Sequence, residues 1–205
     1  MSSFRSEPFL WIHLSGIALF PLWLILVWLG LAISDPLPWF WLEFLLLAIV
    51  GIIPVLWMQL IRPFYIFSIL VLSLPPEQLS PEQRQILTLF KTRKHQLLSC
   101  LASVLILLIL WEIEHLAPLA ASIVSFIPQW RILGLLLAIV GLWTSNLFLQ
   151  IPVSVFGVLI NSQEKFAATE PYPVEKIASE FTIPGWQVEK ILANIIVESN
   201  SKNVS

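Results

Sequence analysis

The apolar positions of this chain fall into four long runs separated by short polar stretches. From Pro8 to Ile33 there is no charged residue, and from Pro38 to Ile61 the only charge is Glu43, near the start. A third run begins at Leu97 and stays apolar to about Trp111, and a fourth follows Arg131 and continues without charge to Ile160. A helix crosses ~30 Å of hydrocarbon with about 20 such residues. The pattern therefore predicts spans over 8–33, 38–61, 97–116 and 131–160. The fold class is all-α: a polytopic membrane protein with a four-helix transmembrane bundle and a short cytoplasmic helical tail. The fourth helix would reach ~44 Å, longer than the core it crosses, and Pro152 offers it a kink.

The first run is too long for a secretory signal, whose apolar region covers about 7–15 residues, so it is read as a retained span. Arg62-Pro63 is followed by a shorter apolar stretch, Phe64 to Leu74. It is too short to cross as a helix, and is expected to continue the second helix beyond a bend or to lie in the interface as a helix.

Charge then orients the bundle. The connection over 62–96 carries Arg62, Arg84, Lys91, Arg93 and Lys94, whereas the opposite face carries Asp35, Glu112 and Glu114, with Arg131 its only basic residue. Lys and Arg accumulate on the cytoplasmic side, which places both termini and the long loop there. Trp28, Trp39, Trp41, Trp111 and Trp130 fall at the expected outer interface, Trp11 and Trp57 at the inner one. Indole rings favour that depth. Composition agrees: 58% hydrophobic and 12% charged residues, against about 25% charged in a soluble domain. A net charge of −2 without a long basic run excludes nucleic acid as a partner. The single cysteine, Cys100, excludes disulfides within the chain.

Outside the spans, Ser80-Pro81-Glu82-Gln83 reads as a helix start, with Ile86, Leu87 and Phe90 on one side. Arg84, Lys91, Arg93 and Lys94 around that helix are candidate lipid-surface contacts. The tail over 161–198 is expected to hold two short helices, Val174 to Phe181 and Gln187 to Val197, split by Thr182-Ile183-Pro184-Gly185-Trp186. Ala178, Ile183, Val188 and Ile191 give it a superficial helix-turn-helix look. From Glu164 onward, however, four lysines face six glutamates, so pairing of apolar faces or docking on a protein is the expectation. Residues 199–205 are expected to be disordered.

Within the membrane, Asn146 and Gln150 share a helix face that Ser154 extends, and Gln59 on the second span is able to reach a neighbour. Such residues hydrogen-bond across helices, or line a path. Glu112, Glu114 and His115, with Glu43 and Asp35, are able to gather at the outer face. Glu112 and His115 are spaced to touch one cation. His13 is a lone histidine in the first span, open to a pigment or metal. No nucleophile–base pair, phosphate loop or HExxH-type zinc pair occurs, so no catalytic residue, metal or cofactor is assigned.

The strings SFRSEPFLWIH, PVLWMQLIRPFYIFSILVLSLPPEQL, SNLFLQIPVSV and FAATEPYPVEKI cover the start, the end of the second span, the fourth span and the head of the tail. With them the chain resembles the cyanobacterial "low-complexity tail membrane protein" family over most of residues 2–192. The resemblance implies a thylakoid or plasma membrane and no stated activity. Only a short SNSKNVS stub stands where an extended tail is implied. The functional expectation is a non-enzymatic scaffold or assembly factor whose partners are the lipid bilayer and a membrane protein. A small transporter or channel subunit lined by Gln59, Asn146 and Gln150 is the rival, with a pigment or metal protein using His13 or His115 a weaker one.

Overall fold

The computed structural model describes residues 4–189 and residue 191. It contains four helical rods long and apolar enough to cross a bilayer: Pro8–Ala32, Trp41–Ile61, Arg93–Ala120 and Arg131–Leu159. The protein is an all-α membrane bundle. The first span joins α1 (Pro8–Ser15) to α2 (Phe20–Ala32) through a 3₁₀ turn at Gly16–Leu19. The second joins α3 (Phe40–Leu47) to α4 (Ile53–Ile61) through a π turn at Ala48–Ile52. Between the second and third spans lie β1 (Ser68–Ile69), β2 (Leu72–Ser73) and α5 (Pro81–Phe90). The third span is α6 (Arg93–Leu116) with a 3₁₀ extension, and the fourth is α7 (Arg131–Leu159), which runs unbroken through Pro152. After it come α8 (Gln163–Ala167), α9 (Val174–Glu180) and β3 (Trp186–Gln187).

The first and fourth spans pack most closely. A Cβ built on Gly134 would stand 2.5 Å from the Gly30 carbonyl, and one on Gly30 would stand 2.8 Å from the Gly134 carbonyl. Gly134, Ala138 and Gly141 share one face of α7, a small-residue seam that lets two backbones touch without a GxxxG string. Val27, Leu31, Leu47, Ile106, Leu110 and Leu142 fill the centre.

A second core lies at the end of the bundle that carries the long loop, here termed the loop face. Tyr65, Phe67, Ile86, Leu87, Phe90, Ile177 and Phe181 are buried in it, together with Phe4, Phe9 and the last turns of α7. The amino end, the loop and the tail thus share one interior. Ser80 caps α5 as its sequence predicts: Gln83 N–H donates to Ser80 Oγ (3.2 Å) and Ser80 N–H to Gln83 Oε1 (3.1 Å).

Two expectations are corrected here. The stretch Phe64 to Leu74 is neither a continuation of the second helix nor an interfacial helix; it is a hairpin, with Ser68 opposite Ser73 and Ile69 opposite Leu72. Pro63 forces Arg62 out of the helical region (φ −129, ψ 74), and Leu70 makes the turn at φ 55. The segment then finds hydrogen-bond partners outside its own local sequence. β3 pairs in parallel with β2, and the Trp186 and Val188 N–H groups donate to Val71 and Ser73 carbonyls. That pairing replaces the tail helix expected to start at Gln187: the chain there is a strand. Gly185 permits it, at φ 62 and with its α-carbon so close to the Val71 carbonyl that no side chain fits. The rest of that expected helix, apart from Ile191, and the polar end over 199–205 lie outside the described residues.

Candidate functional site

Pro54 supplies no N–H, so the Val50 carbonyl one turn earlier lacks its helical donor, and the π turn just before it loosens further carbonyls. The fourth span covers all of them. Trp143 Nε1–H donates to the Val50 carbonyl, and Asn146 Nδ2–H to those of Gly51 and Ile52, both at 3.3 Å. Gln150 Nε2–H donates to Asn146 Oδ1 and to Ser103 Oγ of the third span, each at 2.9 Å. Ser154 donates to the Gln150 carbonyl. A polar seam therefore joins three spans at the bundle's centre, and Asn146 and Gln150 hold helices together there.

Toward the loop face the same seam changes character. His95, Ser99 and Ser103 recur every fourth residue on one face of α6, all buried. The His95 ring packs edge-on against Phe90 (5.4 Å) and approaches the Gln59 backbone without hydrogen-bond geometry. Gln59 Nε2 and Oε1, both His95 ring nitrogens, Ser99 Oγ and Gln150 Oε1 are buried with no hydrogen-bond partner in the protein.

The opposite end of the bundle carries the acidic residues. Glu43, buried on the second span, pairs with Arg131 at the start of the fourth. Arg131 Nε–H donates to Glu43 Oε1 at 2.7 Å, and Nη2 contacts Oε2. Arg131 Nη1 also reaches the Leu31, Ile33 and Ser34 carbonyls that end the first span. This fork satisfies helix-end carbonyls and a carboxylate with one side chain. Asp35, Glu43, Glu114 and Arg131 line a cleft of about 350 Å³. Glu112 stands exposed outside it, and His115, also exposed, keeps Nδ1 on the Trp111 carbonyl at 2.7 Å. Among the described residues no group of three His, Cys, Asp or Glu side chains is arranged to hold a metal ion. His13 Nδ1 lies 2.8 Å from the Phe9 carbonyl, a contact within its own helix.

On the loop face the basic residues divide. Arg84 and Lys91, expected at the lipid surface, instead turn onto the tail. Arg84 Nη1–H donates to the Tyr172 carbonyl (3.2 Å), while Lys91 Nζ donates to the Ile61 carbonyl (2.9 Å), lies 3.5 Å from Glu180 and sits over the Phe181 ring. Arg62 joins them, donating to the Ala178 and Phe181 carbonyls. The α9 C-terminus offers unpaired carbonyls, and cations are the natural groups to meet them. Arg93 is exposed and Lys94 half-exposed at the start of the third span. Glu180 also accepts from the Tyr172 hydroxyl, which with Lys91 holds its carboxyl below the ordinary range. Burial pushes the carboxyl of Glu7 up, opposed by a hydrogen bond from Gln83.

A profile described as low-complexity tail membrane protein-like matches residues 6–193. The chain belongs to that family. No curated protein and no solved structure matches it. For this low-complexity tail membrane protein-like chain the family description fixes a membrane setting and no chemistry; the polar chemistry lies in the seam and on the loop face. Of the seam, Gln59, Asn146 and Gln150 were expected from sequence; His95, Ser99 and Ser103 were not. Their four-residue spacing was the available signal, masked because Arg93 and Lys94 made the third span look as though it began at Leu97.

Proposed function

We propose that this membrane protein is a non-enzymatic scaffold, an assembly or accessory factor that sits beside a larger membrane complex. The observation that carries the reading is an exposed apolar rim on the loop-face sheet: Leu70 is 82% exposed, Trp186 72% and Val71 54%. These three adjoin, because Trp186 N–H bonds the Val71 carbonyl. Arg62, Arg84 and Lys91 fix the tail that bears Trp186, so the rim is built before any partner arrives, which lowers the ordering cost of binding. Large exposed aromatic and aliphatic residues on a rigid edge suit recognition of another protein. Positive-inside bias supports a cytoplasmic position for this face, and the family resemblance supports a cyanobacterial thylakoid or plasma membrane.

The test is affinity capture of a tagged protein from mildly solubilised native membranes, compared with the Leu70→Ser/Trp186→Ala variant. Both side chains lie outside the buried core, so the variant keeps the fold. A defined set of partners lost from the variant is expected. No reproducible partner, or identical partners for both proteins, ends the scaffold reading.

A further inference from the structure

We propose that Gln59, His95, Ser99 and Gln150 form a binding site within the bundle for a small neutral molecule carrying both hydrogen-bond donors and acceptors, of which water is the smallest. The inference stands apart from the scaffold reading and uses none of its residues.

Burial makes the first argument. Gln59 is 1% exposed, His95 4%, Ser99 0% and Gln150 0%. Polar groups at that depth bond to protein or to ordered water. Elsewhere in the bundle the Glu114 carboxylate, at the acidic end, is the exception, and other polar side chains find partners. Ser145 donates to the Leu142 carbonyl, Ser154 to that of Gln150 and Thr144 to that of Val140. Ser99 has the same option of bonding its own helix and does not take it. Unlike Glu114 and Arg84 Nε, which stand apart, the four side chains of the site are gathered. His95 and Ser99 follow one another on a face of α6, Gln59 adjoins His95, and Gln150 joins through Ser103.

The kind of ligand follows from the groups. The Gln59 amide offers donors and an acceptor, the His95 ring two nitrogens, Ser99 a donor and an acceptor, and Gln150 Oε1 accepts. None carries a fixed charge, and Lys91, the nearby cation, is already bonded to the Ile61 carbonyl and Glu180. A metal ion or a phosphate finds no counter-charge, whereas water or a small amide finds complementary partners. A buried water makes about three hydrogen bonds, so roughly two waters, or one molecule of amide size, match the set. Toward the bundle's centre the set ends where Asn146 bonds the Gly51 and Ile52 carbonyls.

Water-edited NMR on the full chain in nanodiscs, with labelled Gln, Asn and His, tests this. Asn146, bonded to two carbonyls, supplies the dry reference, and exposed Gln96 the wet one. Magnetisation transfer from water to the Gln59 amide and the His95 ring is expected to exceed that to Asn146 several-fold. Transfer as weak as at Asn146 overturns the proposal. In the Gln59→Leu/Ser99→Ala variant the His95 signal should fall toward the dry reference, and an unchanged signal overturns it too. Should that variant not fold, the wild-type comparison still decides. Titration with acetamide separates the two sources: displacement of water at Gln59 and His95 identifies a solute site, and retention identifies water as the ligand.

Discussion

In the bundle the closest contacts are backbone on backbone, Gly30 against Gly134, and stray carbonyls are met by single side chains such as Trp143, Asn146 and Arg131. On the loop face the interior is instead a packed set of rings, with Phe4 stacked on Phe166 at 4.4 Å and Phe67 edge-on to Phe9 and Tyr65. The difference follows from the solvent. Lipid tails are as apolar as leucine, so burying leucine against leucine gains little there, and close packing with polar bonds must carry the association. Water surrounds the loop face, and each ring removed from it contributes at about 25 cal/mol per Å². One chain thus follows two sets of rules, and the boundary falls near Ile61 and Leu159, where the spans end.

That contrast can be broken by substitution. The largest effect is expected from Glu43→Ala, which leaves the half-buried Arg131 guanidinium without its carboxylate. Breaking one side of such a pair costs about 3–5 kcal/mol. Thermal unfolding in detergent should fall sharply, and Glu43→Ala/Arg131→Met should recover much of the loss. Equal stability of Glu43→Ala and wild type would mean the pair holds nothing.

Phe67→Ala should come close behind on the other side of the boundary, at about 3–5 kcal/mol for an emptied aromatic site. Hydrogen exchange is the measurement: the Thr182, Trp186 and Val188 amides should lose protection while those in α7 keep theirs. Loss in both regions together would show that the two interiors are one cooperative unit.

The smallest effect is a pH dependence of the tail. Glu180 has a folded-state pKa below its ordinary 4.5, the Tyr172 hydroxyl bond being the main cause and Lys91 next. Its contribution is present above that ordinary value and is lost as pH falls through the lowered one. Tail amides should therefore exchange faster below about pH 4.5, and Glu180→Gln should remove the dependence. Partial exposure of Glu180 keeps the effect small.

What sequence alone conveyed follows from range. Charge-free runs mark the spans because the cost of a charge in lipid is a local property of the chain, and the Ser80 cap is legible because its partner is Gln83. Asn146 and Gln150 were visible as a pair on one helix. The hairpin over 64–74 was not, since a short apolar run fits helix or strand until its partner is known, and β3 comes more than a hundred residues later. Arg131 read as a stray charge on the acidic face because Glu43 and the Leu31 carbonyl are remote in sequence. Its role is visible only in three dimensions.

The fork made by Arg131 has a consequence for synthesis. A nascent chain that has delivered its first three helices to the bilayer still holds a Glu43 carboxylate met by the Leu37 N–H but not yet by Arg131, and open carbonyls at Leu31, Val50 and Gly51 whose side-chain partners arrive with the last helix. An intermediate of that kind is poorly matched to hydrocarbon until translation passes residue 146. A ribosome stalled earlier would leave a product whose unmet polar groups mark it for quality control.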